Sequence, residues 1–162
     1  MLKYSIGDHV MYGMSGACEI VEIGTLEFAG PEKVYYSLKP VYDERDTIYV
    51  PVAKEDEIAR KVVGKKEAQK TVKEIREGSI EGDLPDRDTC STILQEADGL
   101  EVANLIRHLR LLRSQNKRNH KGLNIADAKL LTYAERIVTS ELAVALTLSM
   151  EDAFSMLNEA LG

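Results

Sequence analysis

Three histidines, two cysteines and a surplus of acids are the residues with which this chain could do chemistry. His9, His108 and His120 stand apart from one another and from Cys18 and Cys90, so no metal-ligand spacing arises. No GxSxG, HExxH, Walker loop or GxGxxG pattern occurs. The acids Asp8, Glu55, Asp56, Glu57 and those of the 81–88 stretch fall where turns, helix caps and solvated faces are expected. Two cysteines so far apart make no disulfide framework, and buried free thiols are the expectation. Neither an enzyme nor a protein with a metal or cofactor is expected.

One stretch stands out for binding rather than catalysis. "RHLRLLRSQNKRNHKG" (107–122) carries six Lys or Arg and no acid, in a chain of formal net charge −6. Residues 1–64 hold 11 acids and 7 bases, and 65–99 hold 9 acids and 6 bases; only 100–162, with 7 acids and 8 bases, leans positive. At 100° per residue, Arg107, Arg110, Arg113, Lys117, Arg118 and Lys121 fall within an arc of about 140° if one helix carries them all. Leu105, Leu109 and Leu112 lie on the other side, so the bases are expected to point outward from the bundle. No acid occurs between Val102 and Ala126, which removes every i, i+4 partner. Such a ridge is either a solvated basic face or a surface for phosphates, which position a protein on a duplex without reading its sequence.

The elements that must hold this ridge come in two textures. At 162 residues and 44% hydrophobic, the chain is long enough for one ordinary core or two small ones. No apolar stretch approaches the roughly 20 residues of a membrane span, and "MLKYSIGDHV" lacks the apolar region of a signal peptide, so a cytoplasmic protein is expected. β-Branched and aromatic residues between Gly and Pro punctuation predict strands at 10–14, 17–28, 34–40 and 47–50, with turns at 29–33 and 42–46. Strands this short and close together predict a curled sheet or small barrel. After Pro51 the texture turns helical: a turn or more of helix at 54–63, a helix over 65–78 stopped by Gly78, and a loop over 78–88. Helices are then predicted at 89–97, 102–117, 125–148 and 150–162, with Asn124 as the cap of the third and Asp127 in its first turn. The fold class is therefore α+β, with residues 1–56 as a β module, 57–64 as a hinge and 65–162 as an all-α bundle.

The N-terminal motifs also carry a resemblance. "YSIGDHVMYGMSGACEIVEIGTLEFAG", "VYYSLKP" and "TIYVPV" resemble the polymerase-interacting module of the CarD/CdnL family, which transcription-repair coupling factors share. The matching features are Gly7-Asp8, Gly16, the run from Ile20 to Phe28, and Val50-Pro51. "EVANLIRHLRLL" and "GLNIADAKLLTYAERIVTSELAVAL" are similar to the core helices of the CarD bundle, so the likeness covers nearly the whole chain and is weakest over 78–98.

The resemblance implies a Tudor-like β module bound to the RNA polymerase β subunit and a helical domain on promoter DNA. The expected product is a monomeric, membrane-free regulator that stabilises or adjusts the open complex without reading sequence. Carried over by position, the polymerase contacts fall on Thr25, Leu26, Glu27, Phe28 and Tyr49. Some relatives present arginines there; Leu26 and Tyr49 favour an apolar contact instead. Many relatives also place a tryptophan after the linker as a minor-groove wedge, and this chain has no Trp. Leu84 and Arg87 stand near that place, Leu84 as a smaller wedge, although Asp83, Asp86 and Asp88 repel phosphate. The alternative is a protein-only adaptor whose basic bundle meets an acidic protein.

Overall fold

Successive side chains of a strand point to opposite faces, and in this sheet both faces find a core. The computed structural model describes residues 2–162. Five strands, β1 (His9–Met11), β2 (Ala17–Leu26), β3 (Gly30–Pro40), β4 (Ile48–Pro51) and β5 (Arg60–Lys61), form one antiparallel sheet in the order β4-β3-β2-β1-β5. Val10, Cys18, Ile20, Tyr36, Leu38 and Val50 point into a core of the sheet's own, while Met11 and Ala17 take the other face and join the helical core. Tyr36 is buried there and donates its hydroxyl to Glu55 Oε2 at 2.6 Å. Burial, then that carboxylate, pushes its phenol up to about 12, and the same bond holds Glu55 below the usual carboxylate range.

Three expectations for this half are corrected. Residues 13–15 leave the first strand as a single 3₁₀ turn that leads into Gly16. The turn expected at 29–33 closes earlier, as a 3₁₀ turn over Glu27–Ala29, and residues 30–33 already belong to β3. Leu26 pairs with Gly30, whose φ of 90° lets the chain reverse in so few residues. The helix expected at 54–63 is a 3₁₀ turn at Val52–Glu57 followed by β5. Here tertiary structure outweighs local propensity: Ala59 N–H donates to Met11 O at 3.0 Å and Val62 N–H to His9 O at 2.9 Å, which closes the open edge of β1.

Five helices follow: α1 (Lys65–Glu77), α2 (Arg87–Glu96), α3 (Gly99–Arg118), α4 (Ile125–Ala145) and α5 (Met150–Leu161). Side-chain caps start four of them: Asp86, Asp98, Asn124 and Ser149 each accept from main-chain N–H groups of the first turn. The α4 helix ends at Ala145 rather than at 148, and Thr147 at φ 54° turns the chain into α5. Its buried stripe includes Leu131, Ala134, Ile137, Val138 and Leu142, against which α3 and α5 pack.

The two halves meet along α4. Gly16, at φ 71°, runs so close to it that a Cβ would lie 2.5 Å from Ser140 Oγ. That hydroxyl accepts from Ala17 N–H at 2.9 Å. Arg60, from β5, makes a two-pronged ion pair with Glu141 and donates to Ala97 O at 2.6 Å. Val63 N–H donates to the same Glu141 carboxylate at 3.1 Å. Arg136 lies 3.8 Å over the ring of Tyr42. The segment expected as a hinge, 57–64, is thereby stitched to the sheet on one side and to α4 on the other. Glu141→Ala is expected to lower stability by about 3 kcal/mol, because it strands a mostly buried guanidinium and a main-chain donor together. Urea denaturation measures this, and a loss below about 1 kcal/mol would show the pair to be incidental.

Candidate functional site

Two surfaces of the molecule are built from groups that the fold leaves unused. The first is the rim of the sheet. β1 pairs with β2 only from Ala17 to Glu19, and the chain before β1 reaches no further than Ile20. β3 pairs with β2 along its other side to Leu26. Among the described residues, the main chain of β2 beyond Val21 has no partner on its outer side, so a row of N–H and C=O groups stands open. At the end of that row Phe28 is 75% exposed. Its ring meets the ring of Tyr49 edge-on, with centroids 5.6 Å apart. Tyr49 itself, on the edge strand β4, is 44% exposed.

The fold thus brings Phe28 and Tyr49 together and leaves Thr25 and Glu27 exposed beside them, with Leu26 half-buried. Phe28 does not close the sheet's core. Val34, opposite Thr25 in register, is exposed as well, on the face of β3 that Tyr36 shares and that Tyr49, opposite Ser37, does not. Its alternation with Tyr36 marked it as a strand residue, and only the pairing register puts it at the rim.

The second surface is one end of the helical bundle, and here the expected ridge divides. Arg107 donates to Ile75 O at 2.5 Å and to Gly78 O at 3.4 Å, satisfying the last carbonyls of α1. Arg110 donates to Glu135 at 2.5 Å and to Asn158 at 2.7 Å. The expectation that both point outward is corrected: their partners come from α1, α4 and α5, distant in sequence and invisible to an i, i+4 count. Arg113, Lys117, Arg118 and Lys121 make no ion pair and no side-chain hydrogen bond among the described residues. Arg113 is half-buried and the other three are exposed. Lys129 on α4 is exposed and without an acid partner as well. Ile125, the first residue of α4 and four residues after Lys121, is 78% exposed. Neither was singled out from the sequence: Ile125 entered only as the start of the helix, and Lys129 lies outside the basic run.

Leu84 and Arg87 lie on the approach to α2. The loop before them is moored to α3: Glu81 N–H donates to Asn104 Oδ1 at 2.8 Å, Asn104 Nδ2 donates to Glu81 O at 3.0 Å, and His108 Nε2 lies 2.8 Å from the same carbonyl. Leu84 is only 36% exposed. Asp86 is spent on capping α2, and the Thr89 N–H and hydroxyl hold it below the usual carboxylate range. Asp83 and Asp88 remain exposed on either side. Arg87 reaches Asp127 at 3.6 Å across an open surface, a weak pair.

Catalytic geometry does not assemble. Among the described residues no three His, Cys, Asp or Glu gather as a metal site. Burial pushes the Cys18 thiol up to about 12 and raises that of Cys90, so neither is an activated nucleophile. Among the described residues, no helix is long and apolar enough to cross a membrane.

Residues 4–63 match the family model described as CarD-like/TRCF RID domain, and residues 90–158 match that described as CarD, C-terminal domain. Among curated proteins, none matches.

The division of the basic ridge has a measurable consequence. Arg110→Ala is expected to cost about 2–3 kcal/mol of stability, since it leaves Glu135 and Asn158 unpaired and partly buried. Lys121→Ala is expected to stay within about 0.5 kcal/mol of the parent. Equal midpoints for both variants in urea would refute the assignment.

Proposed function

The chain belongs to the CarD family, and on that premise we propose a polymerase-tethered regulator that uses the sheet rim for the β subunit and the basic bundle end for promoter DNA. Membership implies RNA polymerase-interacting transcription regulation, and regulators of this family are non-enzymatic. The observation that carries the finer reading is the open main-chain edge of β2 beyond Val21, which ends at the exposed Phe28, whose ring meets that of Tyr49 on the opposite edge strand β4. An unpaired strand edge extends readily into a partner's sheet, and alternate side chains supply selectivity. Thr25, Leu26 and Glu27 form that edge, with the two aromatic rings as anchors.

DNA contact rests on Arg113, Lys117, Arg118 and Lys121, with Arg87 at the margin. Cations that have no protein partner are free to replace the counterions of a phosphate backbone. Arg107 and Arg110 serve the bundle first and orient α3, which carries the others. Phosphate contact of this kind is indifferent to sequence, so promoter choice is left to the polymerase. Tethering raises the effective concentration of the bundle at the promoter, so a weak intrinsic affinity suffices. A cytoplasmic monomer is the form this reading requires.

Two measurements separate the parts. Phe28→Glu with Tyr49→Glu is expected to weaken binding to the isolated β-subunit lobe by at least about thirtyfold, as removal of a buried anchor does. Unchanged binding would remove the rim from the interface. In fluorescence anisotropy on promoter duplex, the slope of log affinity against log salt is expected to fall by about 0.9 for each phosphate that Lys117→Ala or Lys121→Ala leaves without its cation. Salt-independent binding would instead favour a protein-only adaptor with an acidic partner.

A further inference from the structure

Between α4 and α5 runs a groove of about 400 Å³, built from residues of neither surface described above. On α4, Thr132, Glu135, Arg136 and Thr139 fall within an arc of about 100°, and on α5 Met150, Glu151 and Phe154 do the same. Phe154 is 38% exposed there. Thr139 is only 3% exposed, and its hydroxyl has no hydrogen-bond partner among the described residues. A helical threonine can bond the carbonyl one turn back, as Thr132 does to Ala128 O at 3.0 Å. Thr139 makes no such bond. A second buried group stands unmet beside the same groove: Arg110 spends its Nη2 on Glu135 and Asn158 and lies 6.0 Å from the centre of the Phe154 ring, while its Nε has no partner. Buried polar groups without partners are rare in native folds and call for an explanation.

We propose that this groove seats a helix of another protein, which lays one aromatic side chain with a polar tip, a tyrosine or tryptophan, on Phe154 and hydrogen-bonds the Thr139 hydroxyl. The groove between two packed helices takes the ridge of a third. An aromatic anchor with a hydroxyl or indole N–H matches an apolar trough whose floor holds one unmet polar group. Met150 lines the same trough and, being unbranched, yields to admit the tip. The walls carry opposite charges. Arg136 on α4 stacks on Tyr42 and has no carboxylate partner among the described residues, and Glu151 on α5 has no cation. The helix that fits therefore bears an acid towards α4 and a base towards α5. Ser149 caps α5, so Glu151 is not needed as its cap. Nucleic acid fits poorly, because Glu135 and Glu151 both stand on the walls. A small molecule is less suited as well, since an open trough leaves one side of it in water. The inference stands apart from the polymerase and DNA readings and concerns a different face.

The test uses the full chain and stapled helical peptides of about 15 residues, which need the staple because so short a helix is marginal alone. Each has a leucine four residues before and after its centre, a glutamate on one flank and a lysine on the other, and tyrosine or phenylalanine at the centre. The parent is expected to bind the tyrosine peptide about fivefold more tightly than the phenylalanine one, the worth of one hydrogen bond, with amide shifts on α4 and α5. Exchanging the peptide's acid and base is expected to weaken binding by about threefold. Thr139→Val is expected to erase the preference for tyrosine and, by removing an unmet hydroxyl, to raise the thermal midpoint by about 2 °C. Phe154→Ala is expected to weaken both peptides by about tenfold and to leave binding to the β-subunit lobe and to promoter duplex as in the parent. No binding, equal affinity for the two peptides, indifference to the exchanged charges, or shifts confined to other elements overturns the inference. An unchanged or lower midpoint in Thr139→Val does so too, since the hydroxyl then has a partner within the fold. Loss of lobe or duplex binding in Phe154→Ala would assign the groove to polymerase or DNA, and self-association of the parent that Phe154→Ala abolishes would assign it to a second copy; either overturns the inference.

Discussion

The approach of Gly16 to α4 is the constraint on which the arrangement of the molecule depends. A glycine with φ 71° lets the first hairpin lie directly on the helix, where Ser140 accepts from Ala17 N–H. One residue further along α4, Glu141 gathers Arg60 and Val63 N–H. A lone carboxylate buried there would be costly, and three donors on it turn the cost into a specific join. The strand that carries Arg60 is short, and its register on β1 is what delivers the guanidinium to this place. Sheet edge, helix and ion pair therefore specify one another.

That join gives the two free surfaces a fixed relation. The sheet spends its β1 side on β5 and on the helices, and this leaves the outer side of β2 as the row of main-chain groups with nothing to pair with. The bundle spends Arg107 on the end of α1 and Arg110 on Glu135 and Asn158, which sets α3 against α1, α4 and α5. The other four bases of the ridge, Arg113, Lys117, Arg118 and Lys121, lie towards and just past the end of α3. Positive charge along the ridge of this acidic chain is thus divided: Arg107 and Arg110 hold helices together, and the other four make no ion pair among the described residues.

Much of the architecture was readable from residue types. Asn124 and Gly78 marked helix ends through local chemistry that needs no distant partner, and the strands at Ala17–Leu26 and Ile48–Pro51 followed from β-branched and aromatic residues between turn signals. The failures have one cause. Within the helix expected at 54–63, Arg60–Lys61 become strand because they pair with the edge of β1. Arg107 and Arg110 look free in sequence and are engaged in space. The five candidate contact residues were carried over from a family pattern, and composition alone would have offered Leu26 and Phe28 equally well as core.

The central claim is that this protein acts on open promoter DNA only while its sheet rim holds polymerase. The direct measurement is the lifetime of open promoter complexes with the full chain, with Phe28→Glu/Tyr49→Glu, and with Lys117→Ala/Lys121→Ala. A change in lifetime with the full chain, abolished in both variants although each remains folded, is the result this account requires. An unaltered lifetime with the full chain, or an effect that persists when the rim is charged, would contradict it.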